Sequence, residues 1–273
     1  MEKILFIGSG SMAEAMIAGI LKANIVDKNN IHVTNKQDHV RLTYMEETYG
    51  VKTSYEQKKL IEEADVIFLA MKPKDLKDAL PGIIPYITEK QLILSVIAGV
   101  MTETIEAILN KEIPVIRTMP NTSAKIGYSA TAIARGKYVD EHHLEIAEAL
   151  LQTIGTTKIV AEKDMHTVTA VSGSGPAFIY YFIESMTKAA LEAGMDKQTA
   201  DELITQTIIG AGQMLEQSGD SAETLRKNIT SKGGTTEAGL NSLALNNFEN
   251  IIIDCIESAR NRSFDLAETF KVK

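Results

Sequence analysis

Short apolar runs and amphipathic stretches alternate along roughly the first 160 residues, and their spacing predicts strand and helix in turn. Ile4-Leu5-Phe6-Ile7 reads as a buried strand, and a helical pattern starts at Ser11. Ile31-His32-Val33-Thr34 predicts a second strand, and residues 38–47 a helix. A short helix over 57–64 precedes a third strand at Val66-Ile67-Phe68-Leu69-Ala70. Strands at 92–96 and 114–117 follow, with Thr102-Glu103-Thr104 as the N-cap signal of a helix through Leu109. A strand at 129–134, a helix over 140–151 and a strand at 157–160 extend the sheet. Continuous apolar strands alternating with helices imply a parallel sheet covered on both faces.

The pattern changes after Val160, and from Asp164 onward no strand is predicted. Gly175-Pro176 opens a long helix whose Phe178, Ile179, Phe182, Ile183, Met186 and Ala190 recur at helical spacing, with Gly194 as its stop. Further helices are predicted over 199–217, 221–226, 235–245 and 247–270. The last carries Phe248, Ile252, Ile256 and Ala259 on one face, flanked by Ile251, Ile253 and Cys255. Both long helices are apolar over more than one face and need cover on several sides. About a hundred residues of helix do not supply that cover, so a second subunit is expected. The fold class is thus α/β: a Rossmann-type doubly wound sheet over residues 1–162, then an all-α dimerisation domain over 163–273.

The charge and cysteine count narrow the partners. A net charge of −8 and a pI near 5.3 argue against nucleic acid, which needs a basic face. A substrate anion would therefore need a local positive site. The single cysteine, Cys255, excludes an intramolecular disulfide and fits a reducing compartment, and its apolar helical setting predicts a buried, inert thiol. Met1-Glu2-Lys3 leads straight into a core strand, and no apolar run approaches bilayer length. A cytoplasmic protein with no membrane contact is expected.

The candidate chemistry begins where the first strand ends. Gly8-Ser9-Gly10-Ser11-Met12-Ala13 is a Gly-x-Gly-x-x-Ala turn between strand and helix, the setting of a dinucleotide phosphate site. Gly8 permits the tight turn, Gly10 lets backbone approach a pyrophosphate, and Ala13 is small enough for helix and strand to pack. The helix N-terminus then offers unpaired N–H groups and the positive end of its dipole. An NAD site would place Asp or Glu after the second strand to hold the ribose 2′-hydroxyl. Thr34-Asn35-Lys36 stands there instead, and Asn35 and Lys36 can donate to a 2′-phosphate, so NADP(H) is preferred over NAD(H). Asp38 reads as a helix N-cap.

Ala70-Met71-Lys72-Pro73 and Ser95-Val96-Ile97-Ala98-Gly99 end strands at the same sheet edge, where small residues leave room for a flat nicotinamide. Lys72 reads equally as a catalytic ammonium or a surface lysine. Arg117-Thr118-Met119-Pro120-Asn121-Thr122 reaches the same crevice, which makes Met119 and Asn121 candidate substrate contacts, while Arg117 leans to a structural pairing. Ser231-Lys232-Gly233-Gly234-Thr235-Thr236-Glu237 opens a helix with two glycines and two hydroxyls, an anion site suited to a small carboxylate. The histidines, His142-His143 among them at the exposed start of a polar helix, show no metal spacing, and no metal is expected. A hydride acceptor that arrives as a protonated imine brings its own proton, which fits a site with no evident acid.

Over essentially its whole length the chain resembles the pyrroline-5-carboxylate reductases. The resemblance rests on Gly8-x-Gly10-x-Met12, Ala70-Met71-Lys72-Pro73, Arg117-x-Met119-Pro120-Asn121-Thr122, Ser172-Gly173-Ser174-Gly175-Pro176-Ala177 and Gly233-Gly234-Thr235-Thr236. It implies NADPH-dependent reduction, sometimes with NADH, of 1-pyrroline-5-carboxylate to L-proline by a homodimer or larger assembly of interleaved helices. It implies that Ile7, Gly8, Ser9, Gly10, Ser11 and Met12 hold the pyrophosphate and Asn35 the adenosine end. Ala70 to Pro73 and Ala98 would lie near the nicotinamide and its ribose, with Asn228 reaching the cofactor from the partner subunit. Thr235 and Thr236 would hold the substrate carboxylate and ring nitrogen, Thr236 as the catalytic hydroxyl. Ser123 and Lys232 stand where the family commonly has proline, and the latter change predicts a looser carboxylate loop. A β-hydroxyacid dehydrogenase shares the domain plan but needs a lysine on the first long helix of the second domain, where Lys188 lies toward the far end. A non-enzymatic NADP(H)-binding regulator would not need the Gly233–Thr236 site.

Overall fold

In the computed structural model, which describes residues 3–270, β1 (Ile4–Ile7) leads through the glycine turn into α1 (Ser11–Lys22). Next come β2 (Ile31–Thr34), α2 (His39–Tyr49), β3 (Lys52–Thr53), α3 (Gln57–Glu63) and β4 (Val66–Leu69). Asp38 caps α2 by accepting from the Arg41 N–H. Then follow α4 (Leu76–Ile83), β5 (Leu92–Ser95), α5 (Thr102–Leu109), β6 (Val115–Met119) and β7 (Ser129–Arg135). The region closes with α6 (Glu141–Leu151), β8 (Gly155–Ile159) and the short α7 (Met165–Val168), which runs into a π-helical stretch, Thr169–Gly173.

The strand order is β3-β2-β1-β4-β5-β6-β7-β8. Chain order reverses on the two sides of β1, and the ends of β1, β2 and β4 frame the crevice where such sheets bind ligands. Successive residues of β1 serve opposite faces. Ile4 and Phe6 join the core under α1, α2 and α6, whereas Leu5 and Ile7 join the one under α3, α4 and α5. Phe6 stacks on Phe68 of β4 with ring centroids 4.4 Å apart. Both faces of the sheet are therefore covered, as the apolar strands require.

Three details differ from the expectations. The parallel pattern breaks at β7, which pairs antiparallel with β6 before β8 resumes parallel pairing with β7. The link between β6 and β7 is one short 3₁₀ turn closed by Gly127 at φ +79°, too short for the crossover that parallel pairing needs. Helix α5 is capped by Met101 without a side-chain bond, and the Thr102 hydroxyl instead donates to Glu162 at 3.2 Å. His143 is not simply exposed: it completes a capping box with Asp140 at the start of α6. Three of these elements, β3, α4 and α7, have no counterpart among the predicted ones.

The chain divides into two compact units, one made of residues up to Ser174 together with those from Ser258 on, the other of Gly175–Glu257. The second unit holds α8 (Gly175–Glu192), α9 (Lys197–Gln217), α10 (Ala222–Asn228), α11 (Thr235–Leu245) and the first part of α12 (Phe248–Glu268). Gly194 follows α8 at φ +93°, the backbone conformation that stops a helix. Asp196 and Ser221 cap α9 and α10 through their side chains. Only Ala200 and Ile204 of this unit are buried, and Cys255 is half-buried rather than enclosed.

Candidate functional site

Gly8 sits at φ +116°, and a Cβ there would stand 2.4 Å from the Ala70 carbonyl oxygen, so no other residue fits. Its N–H donates to Thr34 O at 2.8 Å, and the Ala70 N–H donates to Ile7 O at 2.9 Å, which pins the turn between the ends of β2 and β4. Gly10 differs. Its φ is an ordinary −72°, and a Cβ on it would meet nothing within 4 Å. Its bare backbone instead borders a cavity of about 640 Å³ lined by Ile7, Gly8, Ser9, Gly10, Asn35, Lys36, Ala70, Met71 and Lys72, with α4 residues on the far wall. Gly10 is also the N-cap of α1 and supplies no capping side chain. The first-turn N–H groups are thus open to an anion, and the residues present fit a dinucleotide pyrophosphate.

Ser9 is held twice. Asn35 donates its amide to Ser9 Oγ at 3.0 Å, and Arg41 Nε donates to the Ser9 carbonyl at 2.6 Å. Asn35 spends its other amide hydrogen on Asp38 O at 2.8 Å and accepts from the Asp38 N–H, so both amide hydrogens expected to face a 2′-phosphate are used within the loop. Lys36 remains exposed on the cavity rim. Behind the turn, Arg41 pairs with Glu14, which also accepts from the hydroxyls of Tyr44 and Tyr49 at 2.9 Å each. Burial pushes the Glu14 carboxyl up, but the bonds from Arg41 and the two tyrosines outweigh it and hold the group below its ordinary value. The same burial and the Glu14 charge push Tyr49 up to about 12. Sequence reasoning missed Arg41 and Glu14, which lie 27 residues apart on separate helices and meet only once β1 and β2 pair.

Other proposed cofactor residues spread more widely. Ser11 and Met12 open α1 outside the cavity lining, and Met12 packs on the core. Pro73 starts a 3₁₀ turn after Lys72, and Ala98 lies half-buried beyond β5. Asn228 is the last residue of α10, in the helical unit.

At the end of β6, Arg117 is fully buried and donates from Nη1 to Glu162 Oε1 at 2.8 Å, the structural pairing its position favoured. Its Nε and Nη2 have no hydrogen-bond partner among the described residues. Burial, then the Arg117 charge, push the His166 imidazole below its usual value, with Glu162 pulling it partly back. Met119 packs against Gly173. Asn121 is buried and committed: its amide donates to Ser172 O at 3.2 Å, and its Oδ1 accepts from the Ser123 N–H at 3.0 Å. A proline in place of Ser123 would lack that donor, so the departure from the family pattern gains a bond here.

Two hydrogen bonds tie the Gly233–Thr236 loop. Gly233 takes φ +75°, Gly234 N–H donates to Ser231 O at 3.0 Å, and Gly233 N–H donates to Glu237 Oε2 at 2.7 Å. Gly234 is the N-cap of α11, and the first intrahelical bond comes from Ala238 to Gly234 O. The N–H groups of Thr235 and Thr236 precede it and point out of the helix start. Among the described residues no group of His, Cys, Asp or Glu side chains could hold a metal ion, and no helix is long and apolar enough to cross a membrane.

A switch-point crevice with an open glycine turn, joined to a separate helical unit, defines a dinucleotide-binding protein of the Rossmann class. Comparison with known proteins narrows the class. A family model described as pyrroline-5-carboxylate reductase dimerisation matches residues 162–266, and one described as NADP oxidoreductase, coenzyme F420-dependent, matches residues 3–99. The chain is 47% identical over 270 residues to pyrroline-5-carboxylate reductase 2 of Bacillus subtilis, covering 99% of this chain and 97% of that one. Its fold matches a solved pyrroline-5-carboxylate reductase from Coxiella burnetii with a TM-score of 0.91 at 34% identity, over 97% and 98% of the two chains. A Plasmodium falciparum pyrroline carboxylate reductase solved with NADP bound gives a TM-score of 0.86 at 29% identity, over 97% and 98%. The chain belongs to the pyrroline-5-carboxylate reductase family.

Proposed function

We propose that the protein reduces the C=N bond of 1-pyrroline-5-carboxylate to give L-proline, the last step of proline biosynthesis, using NADPH and, with lower preference, NADH. The observation that carries the reading is the open cavity at Gly10 on a chain of this family. When bound, the cofactor supplies the hydride that the imine carbon accepts.

The protein's own residues hold and orient. The stretch from Ile7 to Met12 binds the pyrophosphate, through the open N–H groups at the start of α1 and the α1 dipole. Asn35 shapes the adenosine end, and Lys36 offers charge to the 2′-phosphate. Ala70 to Pro73 and Ala98 flank the nicotinamide and its ribose, with Asn228 contributed by the partner subunit. The substrate carboxylate is held by the start of α11 through Gly234, Thr235 and Thr236, and Met119 and Asn121 support the substrate side. The Thr236 hydroxyl hydrogen-bonds the ring nitrogen as it becomes an amine. Positioning supplies most of the rate, because hydride transfer needs two carbons near van der Waals contact. The uncovered apolar faces of the helical unit support work as a homodimer or larger assembly, and the reading includes work in the cytoplasm.

The test is direct: purified protein with 1-pyrroline-5-carboxylate should oxidise NADPH and form L-proline in equal amounts. NADPH stable over background in that mixture would defeat the reading.

A further inference from the structure

We propose that Arg41 is a positioning residue for the phosphate-binding turn, holding the Ser9 carbonyl on the α2 side so that the Gly10 N–H of the same peptide faces the cofactor cavity. The proposal rests on the dinucleotide site assigned above. A trans peptide points its C=O and N–H in opposite directions, so fixing one aims the other. Arg41 Nε donates to Ser9 O at 2.6 Å, and Arg41 itself is outside the cavity lining.

The turn needs such a hold. Gly10 has no Cβ, which leaves room for a pyrophosphate but also removes the steric bar to rotating the Ser9–Gly10 peptide. Rotation would turn the Ser9 oxygen toward the phosphates, exchanging a donor for an acceptor at an anion site. Asn35 fixes only the Ser9 side chain, so the carbonyl depends on Arg41. Arg41 is fixed in turn: Glu14 of α1 pairs with its Nη2, Tyr44 and Tyr49 donate to Glu14, and the guanidinium stacks 4.9 Å over the Tyr44 ring. Because Glu14 neutralises Arg41, the pair acts through the pyrophosphate, which NADPH and NADH share, rather than through the 2′-phosphate.

The experiment measures Kd for NADPH and NADH by nucleotide fluorescence on the full chain, with melting temperature as the folding check. Arg41→Met should weaken both nucleotides by the same factor, about ten- to a hundred-fold, while kcat at saturating cofactor stays within about threefold. Glu14→Gln/Arg41→Met leaves no unpaired charge and should bind no more weakly than Arg41→Met alone. Arg41→Lys should recover part of the loss. Loss of NADPH affinity alone would show that Arg41 reads the 2′-phosphate, and unchanged affinity in either folded variant would show that it holds nothing; both overturn the proposal. A wild-type protein that binds neither nucleotide defeats the dinucleotide reading beneath it, a result distinct from wild-type binding that the variants retain.

Discussion

Thr236 is the second residue of α11, and its hydroxyl adds to backbone donors that a substitution cannot remove. Thr236→Ala therefore deletes one neutral hydrogen bond and keeps the helix dipole. The expected loss is about ten- to a thousand-fold in kcat/KM with 1-pyrroline-5-carboxylate, reaching the scale of a lost preorganised donor. NADPH affinity should not move; a parallel loss of it would put Thr236 in the wrong site. Asn35 carries a second expectation at this scale. Asn35→Asp gives up the donation to Asp38 O and sets a carboxylate where a 2′-phosphate is expected. The ratio of kcat/KM for NADPH over NADH should fall at least about tenfold, and steady-state kinetics with both cofactors decides it. The tight turn at Gly8 was legible from the sequence because its chemistry lies in the backbone. The bond from Asn35 to Ser9 was not, since Ser9 comes beside it only when β1 and β2 pair.

At the scale of elements, the long apolar patterns gave reliable strands and helices, and the exceptions have physical causes. Helix α4 contains Pro81 followed by Gly82, a pair that punctuates most chains, yet Leu76, Leu80 and Ile83 are buried on one face and hold the helix to the sheet. Strand β3 has two residues, too short for alternation to show. The reach of α12 back to α7 was equally hidden, because it depends on a contact between residues far apart in sequence. There His166 bonds Ser263 at 2.9 Å and stacks on Phe264 with centroids 3.9 Å apart. This clamp should respond to pH. Burial foremost, then Arg117, keep the native imidazole below its usual 6.5, so the unfolded chain takes up a proton first as pH falls. The stability it contributes is full above about 6.5 and is lost as pH falls through the native value. Melting temperatures between pH 7 and 5 should drop more steeply for wild type than for His166→Gln. Identical slopes would mean that the imidazole is neutral to stability.

For the whole molecule, the need for a second copy was readable in the sequence as long helices apolar on several faces, and the structure leaves many of their large apolar side chains exposed. Tyr181 of α8 is 72% exposed, Ile209 of α9 52% and Ile251 of α12 56%, while only Ala200 and Ile204 are buried in the entire helical unit. Four helices and the first part of a fifth, with two buried side chains among them, do not offset the conformational entropy of ordering them. Covering each large apolar side chain contributes about 1.5–3 kcal/mol, and association with another copy of the same unit supplies that cover without exposing new surface. The protein should therefore sediment as a dimer or larger at micromolar concentration, and its melting temperature should rise with protein concentration, because binding between folded copies stabilises by mass action. Ile209→Asp and Ile251→Asp each place a charge in the covered face and should shift the population toward monomer with a lower, concentration-independent melting temperature. A wild-type monomer whose melting does not depend on concentration would show that these helices stand alone, and the assignment of their apolar faces to a partner would fall.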